Sequence, residues 1–147
     1  MTRDELHDLI YSDKAAIELA LVADDAALAA RCSAIAPAVP TPRRMSYLGL
    51  ANSVTGIGPD ATRRLITSIR AVASQDVLID EIQRNLRDAN AGVDVSDPAV
   101  SVMLAQFVAL TEAGTVPTGL TAEDAAAIFA LGMARPTFTP EEVGAAR

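Results

Sequence analysis

PAVSVMLAQFVALT, Pro98 to Thr111, places Val100, Met103, Leu104, Phe107, Val108 and Thr111 at i, i+3, i+4, i+7 spacing. That period puts one continuous apolar stripe on a helix of 3.6 residues per turn, so the segment reads as a buried helix. Its start is written in the residues before it. Ser96 and Asp97 can cap, and Pro98 sits in a first turn, where proline loses no hydrogen bond. Gly114 marks the end, because glycine enters the left-handed region without steric cost. No side chain of the stripe is ionisable, so it offers packing surface and no reactive group.

Composition extends this reading to the whole chain. The 147 residues make one ordinary domain in length, enough to bury roughly two thirds of the unfolded surface. Half the residues are apolar, but alanine supplies much of that share, with no Trp, three Phe and two Tyr. A thin core of closely approaching helices follows. The expected class is all-α: a compact bundle of about five helices, with an N-terminal group of short helices joined through a proline-rich segment.

The segment IAPAVPTP, Ile35 to Pro42, carries three prolines in six positions and reads as an extended, semi-rigid connector. It divides the chain into a short-helix segment at 1–34, a connector at 35–44 and a helical core domain at 45–147. Before it, Thr2 with Glu5 forms a capping box, Ser12 can cap a second helix, and Asp24 a third. After it, a helix is expected over Met45 to Ser53. Gly56-Ile57-Gly58 then breaks the chain and Pro59 opens another. Ser74 to Asp76 looks like a recapping point between two helices, with one long helix as the alternative. Val93 to Val95 is an extended link into the central helix. Thr121 to Asp124 and Thr139 to Glu142 repeat the capping device ahead of two further helices.

Charge is unevenly distributed within the net of −7. Met1 to Ala30 holds seven acids against Arg3 and Lys14, Arg31 to Arg87 holds eight arginines against four acids, and the remainder is acidic again. A basic middle between acidic ends suits a strip for an acidic partner, or segments that attract each other within the chain or between copies. Arg43, Arg44, Arg63 and Arg64 are the candidate partner-binding residues. They lack interleaved aromatics and the chain is acidic overall, which favours protein contact over nucleic acid.

Other constellations fail on chemistry. His7 is the single histidine and has no second ligand for a metal or partner for catalysis. Cys32 is the single cysteine, which excludes an internal disulfide. Asp88 to Ala99 imitates a calcium loop, but its glycine, Gly92, comes one place early and Ala99 replaces the closing Glu. Gly56-Ile57-Gly58-Pro59 lacks the strand and the Lys of a phosphate loop. No run approaches the roughly 20 apolar residues of a membrane span. No catalytic residue, metal or cofactor is expected.

GVDVSDPAVSVMLAQFVALTEAG at 92–114, LTAEDAAAIFALG at 120–132, RPTFTPEEVG at 135–144 and DDAALAARCSAIAP at 24–37 together resemble small alanine-rich proteins encoded among the structural genes of tailed bacteriophages of high-GC bacteria. The resemblance implies a non-enzymatic virion component of the tail or head-tail junction, made in the host cytoplasm, present in several copies and contacting other virion proteins. It transfers no functional residue. The alternative is an intracellular helical adaptor or regulator that binds a protein or nucleic acid through the arginine-rich middle.

Overall fold

A computed structural model describes all of residues 1–147. The chain is mostly helical, with nine helices in place of the bundle of about five expected, and four two-residue strands keep it from being strictly all-α. The helices are α1 (Arg3–Ser12), α2 (Lys14–Leu21), α3 (Asp25–Ile35), α4 (Tyr47–Ala51), α5 (Pro59–Val72), α6 (Val77–Arg87), α7 (Pro98–Glu112), α8 (Ala122–Leu131) and α9 (Pro140–Ala146). The strands are β1 (Val39–Pro40), β2 (Arg44–Met45), β3 (Val93–Asp94) and β4 (Met133–Ala134), pairing as β1 with β4 and β2 with β3. The number of helices follows from the number of stop and start signals. Almost every helix is short because a cap, proline or glycine arrives within a few turns.

Two compact units result, one of Met1–Val39 with Ala134–Arg147 and one of Pro40–Met133. The last fourteen residues are expected from the sequence within the core domain at 45–147. In the structure they belong with the N-terminal helices.

The first unit holds α1, α2, α3 and α9 around Leu6, Ile10, Ala16, Leu28, Cys32, Val143 and Ala146. Helices this short are marginal alone and are held by this shared core. The caps are local. Thr2 and Glu5 form the box at α1, Thr139 and Glu142 form the box at α9, and the start of α2 is capped by Asp13 rather than Ser12. Asp13 also takes a forked pair of hydrogen bonds from Arg31 Nε and Nη2, at 2.9 and 2.7 Å, which ties the α1–α2 corner to α3. Ser33 Oγ accepts from the Phe138 N–H at 3.0 Å, and Arg135 donates to the Ala34 carbonyl. These bonds seat the segment leading into α9.

The second unit is organised on α7. Val100, Met103, Leu104 and Phe107 are buried there, joined by Leu50, Leu65, Ile69, Ile79, Leu86, Leu120 and Ile128. Asp97 caps α7 by accepting from Ala99 N–H, Pro98 opens it, and Gly114 follows it at φ +77°. Asp76 caps α6 with bonds from two backbone N–H groups, so α5 and α6 are separate helices. Strands β2 and β3 pair antiparallel, with Arg44 opposite Asp94 and Met45 opposite Val93. Ser68 on α5 is fully buried and accepts from the Leu120 N–H at 2.8 Å, fixing the turn that leads into α8. No helix is long and apolar enough to cross a membrane.

Candidate interaction surfaces

The four arginines singled out in the sequence do not form one strip. Arg43 donates to the Thr55 carbonyl, and its backbone N–H donates to Asp94 Oδ1. Arg44 donates to the carbonyls of Ala91 and Gly92. Both hold loop backbone in place. Arg63 pairs with Asp60 one turn away, at 2.8 Å and well exposed, a pair of little energetic weight. Arg64 reaches across to α8. Its Nε and Nη2 lie 2.6 and 2.8 Å from the two oxygens of Asp124, a carboxylate only 6% exposed. The guanidinium holds the Asp124 carboxyl below its ordinary pKa, with the Thr121 cap adding to the effect. A partner reading the arginine-rich middle therefore meets Arg63, Arg70 and Arg87 more freely than Arg64.

Carboxylates of the calcium-like segment are also occupied. Asp88 Oδ1 accepts from Asn90 N–H, Asp94 Oδ1 from Arg43 and from Ser96, and Asp97 Oδ1 from Ala99. They serve turns and a helix cap. His7 lies against Tyr11 with ring centroids 4.6 Å apart on the surface of α1. Cys32 is buried in the first unit, and burial raises its thiol pKa, which keeps it a neutral core residue.

Three surfaces remain. The first is the outer side of α7 and α8. On α7, Val102 is 60% exposed, and Phe129 on α8 is 49% exposed, with Ala105, Ala109 and Ala126 also open to solvent. Leu78, at the start of α6, is exposed beside a recess of about 380 Å³ floored by Ile79, Ile82 and Met103. From Pro98 to Thr111 the helix carries no charge on any side. A helix without charges is usually covered all round, and here one side, carrying Val102, Ala105, Gln106 and Ala109, has no cover.

The second surface is a groove of about 450 Å³ between α4 and α5. Tyr47, Leu48, Ala51, Pro59 and Ile66 give it an apolar lining, and Arg63 and Arg87 edge it. Leu48 is 77% exposed. The Tyr47 hydroxyl is shut off from solvent and has no hydrogen-bond partner, a condition that costs roughly 1–3 kcal/mol. Burial raises the Tyr47 pKa, while nearby Arg87 and Arg70 pull it the other way. Arg70 and Arg87 have no carboxylate partner of their own.

The third is the corner between α2 and α3. Leu21 and Val22 are 80% and 72% exposed, and Ala23 holds φ +56°, the only non-glycine residue at positive φ. Asp24 N–H bonds to the Leu19 carbonyl and Ala23 N–H to the Ala20 carbonyl. This is the Schellman geometry, with alanine where glycine is usual. Nothing in the residue pattern signals a left-handed alanine, so sequence reasoning missed this corner. The groove was equally hidden, since its lining comes from positions 47 to 87 and only the fold assembles it. No protein-family model, curated protein or solved structure matches the chain.

Proposed function

We propose that the chain is a non-enzymatic structural protein of a tailed-bacteriophage virion, a tail or head-tail-associated subunit present in several copies and acting through protein–protein interfaces. The observation that carries the reading is the uncovered apolar side of α7 and α8. An exposed, charge-free helical face of this kind is stable in an assembly that covers it, and its chemistry selects an equally apolar, uncharged helical surface on a neighbouring virion protein. The resemblance of residues 92–114 and 120–132 to small phage structural proteins supports the same reading, because these residues build that face.

The reading is tested by replacing Val102 with Asp in the encoding phage. Val102 projects outward, so the variant should fold normally and fail to enter particles. Normal incorporation of folded Val102→Asp protein would overturn the assignment of this face. The adaptor reading has less support: three of the four arginines it would use, Arg43, Arg44 and Arg64, already bind the chain's own carbonyls or Asp124.

A further inference from the structure

We infer that the α2–α3 corner of one copy docks into the α4–α5 groove of the next copy, so that the chain associates with itself head to tail. The inference rests on the structural-subunit reading and specifies one of its interfaces, separate from the α7–α8 face.

The two surfaces complement each other in two respects. Leu21 and Val22 form an apolar tip, and Leu48, Ala51, Pro59 and Ile66 form an open apolar depression. Glu18 and Asp24 flank the tip with exposed carboxylates, while Arg63 and Arg87 edge the recess and Arg70 stands near it. Arg70 and Arg87 lack acidic partners. The groove side therefore holds unpaired cationic charge that the exposed carboxylates of the tip can meet.

A second copy is the occupant because both halves are on this chain and their charges are opposite. Leu21 and Leu48 are both about four-fifths exposed. Ala23 adds a reason to regard the corner as built for contact, since backbone strain of this sort collects at functional positions. Because the two patches differ, the contact is heterologous, and repetition produces a ring if the rotation closes and a filament if it does not.

The test uses the full chain in sedimentation and light scattering across concentration. Wild-type protein should show a mass that rises above the monomer, more at low salt than at high salt. Leu21→Asp spoils the tip and keeps the groove; Arg87→Glu spoils the groove and keeps the tip. Each alone should stay monomeric, and an equimolar mixture should form a heterodimer, because one intact tip meets one intact groove. If circular dichroism shows either variant unfolded, Glu18→Arg replaces the first and Leu48→Asp the second. A wild-type chain that is monomeric throughout overturns the inference, as does a mixture that stays monomeric. Self-association that survives both single variants also overturns it, and would assign the contact to α7 and α8 while leaving the structural-subunit reading standing.

Discussion

Arg64 on α5 and Asp124 on α8 lie sixty positions apart and meet through two hydrogen bonds, with the carboxylate buried and doubling as the closing residue of the α8 capping box. One side chain thus closes the second unit and starts a helix. The neighbouring Arg63, one position earlier, faces solvent.

That contrast predicts divergent effects for two adjacent arginines. Arg64→Ala strands a buried carboxylate and should lower stability by about 2–3 kcal/mol, below the full cost for a buried pair because Arg64 itself is partly exposed. Arg63→Ala should stay within about 0.5 kcal/mol of wild type. Urea unfolding of both proteins measures the difference; equal effects would contradict the assigned geometry.

Acid should unfold the protein through its caps and ion pairs. Thr2 lowers the Glu5 pKa, Arg31 lowers that of Asp13 from 3.8 to about 2, Ser96 that of Asp94, Arg64 that of Asp124 and Thr139 that of Glu142. A folded-state pKa below the unfolded one contributes stability that is fully present above the unfolded value and disappears as pH falls through the folded value. Stability should therefore decline from about pH 4 downward. Asp13→Asn should flatten the part of that decline reaching to about pH 2. Denaturant midpoints measured across the acid range check it.

Ala23→Gly should stabilise the chain by about 0.5–1 kcal/mol. The left-handed conformation costs an L-residue roughly 1–2 kcal/mol, and the greater freedom of glycine in the unfolded chain takes back part of the gain. Thermal unfolding is the measurement, and a lower melting temperature would contradict the prediction.

Val143→Ala should cost about 2 kcal/mol, for the apolar groups lost and the space they leave. Because Val143 packs with Leu6, Ile10 and Leu28, hydrogen exchange should accelerate in α1 and α3 and hold steady in α7. Acceleration in α7 instead would place α9 in the other unit.

What the sequence made legible was local. The stripe from Val100 to Phe107 is buried as its period requires, and Asp97-Pro98, Thr121, Thr139 and the break at Asp76 act where their chemistry places them. What it hid was non-local. PEEVGAA has too few apolar residues to declare which core it joins, and only the fold shows α9 packed with α1 and α3. Two-residue strands have no period to read, which left the pairing of Arg44–Met45 with Val93–Asp94 unseen. Arg64 looked like Arg63 because only a partner sixty residues away distinguishes them. The groove at Tyr47 and the corner at Ala23 escaped for the same reason: neither a cavity nor a positive φ at alanine leaves a pattern in the residues.

Quantitative mass spectrometry of purified particles from the encoding phage, scaled to the major capsid protein, tests the structural-subunit reading most directly. The expected result is this chain at a fixed, symmetric copy number matching the tail or the head-tail junction. Its absence from intact particles would contradict the account.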